Sequence, residues 1–217
     1  MFSDWSGIPH FVESLKVACR MAIKVSTTNR IPPFLAMEVM NATQYLEASG
    51  VDLVHMEIGQ PSTPPPPAVL QALTKSLGAI QTHKYSVALG EMPLRRRIAA
   101  HYEDWYGYRP DPLNIAVTLG SSLGFVLAFL GAFDQGDRIG LANPGYPAYR
   151  NLMLALGLEP VLLPARSAEG WLPQLEAMAS EGNLPDGLLL ASPANPTGVV
   201  MSDTSLKAVC RWCDANG

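Results

Sequence analysis

The feature that most constrains the fold is a short apolar run that ends abruptly in a polar loop. Residues 187–191 carry no polar side chain, which is typical of a strand covered on both faces. Residues 192–198 follow with the sequence Ser-Pro-Ala-Asn-Pro-Thr-Gly. Open α/β sheets bind ligands with such loops, at the carboxyl ends of parallel strands. Asn195 offers an amide donor and a carbonyl acceptor there, and Pro196 restricts the backbone beside it. We therefore expect a ligand site that includes Asn195.

The rest of the chain alternates between strand and helix patterns. Strand patterns occur at 54–58, 115–119, 138–142, 160–163 and 187–191. Helix patterns occur at 35–49, 69–77, 94–107, 172–179 and 202–215; one further helix starts near 123, and another ends near 156. Such alternation indicates crossover units. We predict a three-layer αβα fold with a mostly parallel sheet. The four prolines at 64–67 are expected to lie outside helices and central strands.

Composition and charge argue against several classes of partner. The net charge is -4, the pI is about 5.5, and the basic residues form no patch for nucleic acid. The three cysteines are an odd number without an export signal, which predicts a reducing cytoplasm. Cys210 and Cys213 have zinc-like spacing but lack a second pair of ligands, so no metal is expected. The longest apolar stretch, residues 123–133, is too short to span a bilayer.

Two further loops carry side chains suited to a phosphorylated aromatic ligand. Ser121 and Ser122 lie between a predicted strand and an apolar helix. The free N–H groups and dipole of a helix N-terminus suit a phosphate, although serine also commonly caps helices. Tyr146 follows the predicted strand 138–142 in a proline-rich loop. There it could stack on a flat heteroaromatic ring or simply pack within the loop.

Five motifs, in this order along the chain, resemble those of the class I/II aminotransferases. The motifs are Gly59-Gln-Pro, Tyr85 with Gly90 and Leu94-Arg95, Gly120-Ser-Ser, Asn143-Pro-Gly-Tyr, and Asn195-Pro-Thr-Gly. These aminotransferases are pyridoxal-phosphate (PLP) enzymes of fold type I. The resemblance extends from about residue 30 to the last residue. It implies that residues 1–50 are an N-terminal arm and a helix of the small domain. Residues 51–217 would be an incomplete PLP-binding large domain.

The resemblance implies a cofactor and a set of residues that bind it. In the family the positions of Ser121 and Ser122 hold the cofactor phosphate, and the residue at the position of Tyr146 stacks on the pyridine ring. The asparagine at the position of Asn195 hydrogen-bonds the phenolic oxygen of the cofactor, and the peptide bond after it is usually cis. The position of Tyr85 reaches across a homodimer interface to the phosphate bound by the other subunit. PLP is therefore the expected cofactor, in a homodimer.

The resemblance also implies an activity, namely transfer of an amino group from an amino acid to a 2-oxo acid. Gly59 and Asn195 would face the substrate carboxylate. In the family the lysine that binds the cofactor covalently follows the Asn-Pro-Thr-Gly loop, as do the carboxylate beside the ring nitrogen and a substrate-binding arginine. None of this chain's five lysines lies at the end of a late strand. We expect the N-terminal half of an aminotransferase, without a catalytic residue and inactive alone.

Alternative functions remain open from the sequence. A carbon–sulfur lyase or a cyclopropane-forming synthase can use the same scaffold, and a non-catalytic PLP-binding regulatory module is a further alternative. A plain nucleotide-binding domain would be expected to carry a Gly-x-Gly-x-x-Gly turn after Leu119, and the sequence lacks one. Met21 is a second candidate start, in which case residues 1–20 would not be native. The amino-acid substrate is not predicted.

Overall fold

A computed structural model of the protein describes residues 24, 26, 31–165 and 184–216. The chain divides into two compact units, Met1–Pro32 and Pro33–Gly217. The predicted domain boundary after residue 50 stays a prediction. The candidate start at Met21 and the helix predicted at 172–179 lie outside the described residues.

The described part of the second unit is built around a parallel sheet. The central strand β1 (Arg138–Asn143) pairs with β2 (Glu159–Pro164) on one side and with β3 (Gly187–Leu189) on the other. Leu141 of β1 is in register with Leu162 of β2. The run of apolar residues that led us to predict a buried parallel strand is therefore part of this sheet, and the predicted α/β class is confirmed.

Six α-helices are present in the described residues. They are α1 (Leu35–Ala48), α2 (Pro67–Leu77), α3 (Met92–Tyr106), α4 (Gly120–Ala132), α5 (Pro147–Leu156) and α6 (Asp203–Asn216), with short 3-10 turns at Ile80–His83 and Pro112–Asn114. Helix α5 is the crossover between β1 and β2. Across the described ranges, no helix is both long and apolar enough to cross a membrane.

The start of α2 differs from the prediction. Pro67 was expected outside any helix but is the first residue of α2, because a first helical position needs no N–H donor and proline is already set to a helical φ. At the start of α6 the side chain that caps is Ser202. The Ser202 Oγ accepts a hydrogen bond from the backbone N–H of Ser205 at 3.1 Å, which satisfies one free donor of the first turn.

Two of the predicted strands are not strands in the structure. Residues 54–58 and 115–119 are extended or irregular and belong to no sheet. The Val117 N–H donates to the carbonyl of Leu89, in a loop, at 3.0 Å. In 54–58 the apolar side chain of Met56 is 88% exposed. A strand forms only where a neighbouring strand supplies a ladder of hydrogen bonds, and neither segment has one here.

The core lies where α4 and α5 cover β1. Its buried members are Phe129 of α4, Ile139 and Leu141 of β1, Met153 of α5, and Leu158 just before β2. Burial of these side chains anchors the central strand and the helix that follows it. The loop between them, which carries Tyr146, therefore starts and ends in the most tightly packed part of the unit.

Candidate functional site

The candidate site lies at the carboxyl ends of β1 and β3, which are neighbouring parallel strands. The loop after β1 contains a cis Asn143–Pro144 bond, and the loop after β3 contains cis bonds before Pro193 and Pro196. The cis bond after Asn195 agrees with the expectation from the resemblance. A turn closes the second loop, with the Gly198 N–H donating to the Ala194 carbonyl at 2.7 Å. Both loops thus emerge at one edge of the sheet, where α/β folds bind ligands.

A cleft of about 660 Å³ opens at this edge. Its lining includes Phe34, Met37, Met56, Glu57, Ile58, Gly59, Tyr146 and Asn195. Three of the six residues predicted for the site, Gly59, Tyr146 and Asn195, therefore lie around the same cleft. Its volume is within the range of small-molecule sites, about 300–1,000 Å³.

A row of aromatic rings fixes Tyr146 and ties it to α4. The Tyr146 ring makes edge contacts with Phe34 at 5.6 Å and with Tyr149 at 5.3 Å between centroids. Tyr149 in turn lies 4.8 Å from Phe125, which is one turn into α4. Edge contacts of this kind are favourable and directional. They hold the Tyr146 ring in the cleft and connect it to the first turn of α4.

The first turn of α4 presents free backbone donors. Helix α4 begins at Gly120, and its N-cap is Leu119, which provides no side-chain capping bond. Ser121 and Ser122 are exposed helical residues, so the alternative in which one of them is the N-cap is wrong. The first N–H groups of a helix have no acceptor within it. Ser121 and Ser122 do not line the cleft; the ring row from Phe125 is what relates them to Tyr146.

Tyr85 lies apart from the cleft, on the surface. Its side chain is fully exposed, in the loop before α3. Two other residues of its motif have packing roles. A Cβ at Gly90, where φ is +88°, would come within 2.7 Å of Val117. Arg95 is only 4% exposed, and its Nε and Nη2 have no hydrogen-bond partner in the described part of the chain.

Sequence reasoning missed an ionic cluster beside the cleft. The His55 Nδ1 lies 2.6 Å from a Glu57 carboxylate oxygen, and its Nε2 lies 2.7 Å from one of Glu47. Hydrogen bonds to these two carboxylates raise the pKa of His55 to about 9. The bond from His55 lowers the pKa of Glu57. His55 and Glu57 stand two residues apart in the sequence. In the strand predicted at 54–58 both would have lain on the solvent-facing side, so the pattern did not indicate that Glu57 lines a cleft.

The residues present fit a phosphorylated aromatic cofactor. A flat ring at Tyr146, an amide at Asn195 and free donors at the start of α4 match a ring, a phenolic oxygen and a phosphate. Among the described residues that line the cleft there is no lysine. The described lining therefore offers groups suited to non-covalent contacts with such a cofactor.

Residues 51–217 match the family model described as "Aminotransferase class I and II". A valine–pyruvate aminotransferase of Mycobacterium tuberculosis is 41% identical over 196 residues, which cover 90% of this chain and 50% of that protein. An LL-diaminopimelate aminotransferase of Gloeobacter violaceus is 34% identical, over 80% of this chain and 45% of that protein. The chain thus spans about half the length of these curated relatives.

A solved structure agrees with this match. The crystal structure of an aminotransferase from Mycobacterium tuberculosis superposes with a TM-score of 0.83 at 41% identity, over 89% of this chain and 50% of that one. The family match covers most of the chain, and the superposition extends it to the described fold. The resemblance on which the site was predicted is confirmed, and the chain belongs to the aminotransferase class I and II family.

Proposed function

We propose that this chain is the N-terminal half of a PLP-dependent aminotransferase, which transfers an amino group from an amino acid to a 2-oxo acid. The observation that carries the proposal is the meeting of Gly59, Tyr146 and Asn195 around one cleft. These residues come from three separate motifs of the family. Amino-group transfer by the named relatives supports the same activity.

Each residue has a specific part in the proposed site. Tyr146 would lie against the cofactor ring, and the Asn195 amide would donate to its phenolic oxygen. Ser121 and Ser122, with the free N–H groups of α4, would hold the phosphate. When bound, the cofactor supplies an electron sink for bonds at the substrate α-carbon. The covalent lysine is supplied by the half of the protein that follows this chain.

Gly59 and Asn195 are proposed to hold the substrate carboxylate. The Asn195 side chain donates a hydrogen bond, and Gly59, having no side chain, lets a carboxylate approach the backbone. Two such contacts orient the substrate, and orientation lowers the barrier of the subsequent proton transfer. The enzyme is proposed to work as a cytoplasmic homodimer, in which the exposed Tyr85 reaches the phosphate bound by the partner subunit.

The cleft favours an apolar amino-acid side chain. Apolar surface in its lining comes from Phe34, Met37, Met56 and Ile58. An apolar ligand binds there favourably because both surfaces are removed from water. A relative with 41% identity is a valine–pyruvate aminotransferase. We infer that valine and pyruvate are substrates of the full-length protein.

The test is product analysis with the purified full-length protein and PLP. We expect valine and pyruvate to yield alanine and the 2-oxo acid of valine in equal amounts. Release of ammonia and pyruvate from an amino acid alone would instead indicate a lyase. PLP binding without turnover of any amino acid would indicate a regulatory module, and either result would overturn the proposal. The 217-residue chain alone is expected to show no turnover.

A further inference from the structure

His55 joins α1 to the wall of the cleft. Its Nε2 contacts Glu47, in the last turn of α1, and its Nδ1 contacts Glu57, which lines the cleft. The Glu57 side chain is only 10% exposed. The Thr43 Oγ1 of α1, which donates its proton to the Met40 carbonyl at 2.8 Å, lies 3.4 Å from the Glu57 carboxylate. The segment that ends in Gly59 is therefore tied to α1 mainly through His55.

The geometry of His55 requires a charged ring. A neutral imidazole has one N–H donor, whereas an ionised carboxylate can only accept. Both ring nitrogens lie within 2.7 Å of a carboxylate oxygen. Two such hydrogen bonds form at once only if both nitrogens carry a proton. The cluster is thus a cation held between two anions.

Glu57 would otherwise disfavour the anionic group that the cleft is proposed to bind. Glu57 and Tyr146 are the ionisable residues of its described lining, so at neutral pH Glu57 is the charged one. It lies two residues from Gly59. An unpaired carboxylate at this position would repel the carboxylate of a substrate.

We propose that His55 is a positioning residue for substrate binding: it fixes the 57–59 wall of the cleft against α1 and cancels the charge of Glu57. This inference rests on the proposed function, because it concerns the substrate carboxylate. The charged groups that contact His55 in the described chain are Glu47 from α1 and Glu57 from its own segment.

The first test is the titration of His55 in the full-length protein, labelled with carbon-13 at histidine Cε1. The His55 signal is the one missing from His55→Gln. We expect it to titrate well above 6.5, and to titrate lower in Glu57→Gln and in Glu47→Gln. Titration near 6.5 in the unaltered protein would overturn the inference.

The second test separates charge from structure through kinetics with pyruvate. We expect His55→Gln to raise the KM for pyruvate about three- to tenfold and to change kcat less than about twofold. Adding Glu57→Gln to His55→Gln should restore KM, since the carboxylate that lines the cleft is then gone, and Glu47, which is not among the lining residues, is the same in both variants. In the unaltered protein, KM should rise as the pH passes through about 9. His101→Gln is the matched control, because that ring contacts Trp105 on α3 and should leave KM unchanged.

The outcomes distinguish this inference from the proposed function. A raised KM that Glu57→Gln does not rescue, or an unchanged KM in His55→Gln, overturns the inference while transamination stands. If the unaltered protein transfers no amino group, the proposed function fails. The histidine titration still decides whether His55 is paired with Glu47 and Glu57.

Discussion

Tyr146 illustrates how a single residue is placed by its neighbour. Gly145 precedes it, and a Cβ at Gly145 would overlap the backbone carbonyl oxygen of Ala142. The backbone at Ala142 cannot move aside as easily as the end of a flexible side chain. A larger residue at position 145 would therefore shift the loop. The small residue at 145 thus lets the loop turn back over the end of β1 and present the Tyr146 ring to the cleft.

Removal of the Tyr146 ring should weaken cofactor binding, whereas removal of its hydroxyl should not. Aromatic contacts contribute about 0.5–1.5 kcal/mol beyond burial. We expect Tyr146→Ala to weaken PLP binding by the full-length protein about two- to tenfold. Tyr146→Phe keeps the ring and serves as the control. Absorbance titration of the cofactor-free protein measures both, and equal losses in the two variants would contradict a stacking role.

The His55 cluster should make stability depend on pH in a defined direction. The folded state raises the pKa of His55 to about 9, so its contribution is complete below its ordinary value of about 6.5 and is lost as the pH rises through 9. Glu57 has a lowered pKa, so its contribution is present above its ordinary value and is lost as the pH falls through the lowered one. Both contributions are complete between the ordinary pKa values of Glu57 and His55, 4.5 and 6.5.

We therefore expect His55→Gln to lower the Tm of the full-length protein at pH 7 and to have little effect at pH 10. At pH 10 the ring is neutral in both the folded and the unfolded protein, so little is left to lose. Thermal melts at the two pH values measure the difference, with His101→Gln as the control. An equal loss of Tm at pH 7 and pH 10 would show that His55 acts through packing alone.

At the level of elements, the start of α4 depends on glycine. Gly120 has φ of +76°, which lies in the left-handed region that disfavours side chains. Thr118 Oγ1 donates to the Gly120 carbonyl at 2.8 Å and supports the turn. The same helix contains Gly131, where a Cβ would meet nothing within 4 Å and φ is not positive.

Alanine at these two glycines should therefore have opposite effects. We expect Gly120→Ala to lower the free energy of unfolding by about 1–2 kcal/mol, because the left-handed conformation is strained for L-residues. Gly131→Ala should raise it by about 0.5–1 kcal/mol, because alanine is the better helix former. Denaturant unfolding of the full-length protein measures both. Two changes of the same sign would contradict the described geometry.

At the level of the whole molecule, much apolar surface is open. Helices α1, α2 and α6 have no fully buried residue. Large apolar side chains such as Leu70, Leu73 and Leu77 of α2 are exposed. Extended apolar surface of this kind marks contacts with other protein surfaces. In the proposed full-length homodimer, the second half of the protein and the partner subunit would cover it.

The 217-residue chain by itself should therefore associate in solution. Open apolar faces favour contact between copies, as do the outer strands β2 and β3, which have no further neighbour among the described residues. We expect static light scattering at micromolar concentration to show species larger than 23.4 kDa, with a broad melting transition. A monodisperse chain that melts cooperatively would contradict this expectation. The full-length protein, measured under the same conditions, is the control.

The sequence by itself was enough to predict the six described helices and the three strands of the described sheet. Gly107 directly follows α3 and Gly157 directly follows α5, each in the left-handed conformation that stops a helix. The three apolar runs at 138–142, 160–163 and 187–191 became the sheet. These features depend on capping, proline and hydrophobic period, which act over a few residues and can be read locally. The order of the motifs was likewise enough to identify the family.

Only the tertiary structure decided how these parts meet. Residues 54–58 and 115–119 have no strand partner in the described chain. Glu57 contacts His55 and Thr43. Gly59, Tyr146 and Asn195 lie around one cleft. The physical reason is that a strand needs a neighbour, and an ion pair its partner, from a distant part of the chain. Local pattern carries no record of those distances, so the backbone elements were predictable and the charge balance of the cleft was not.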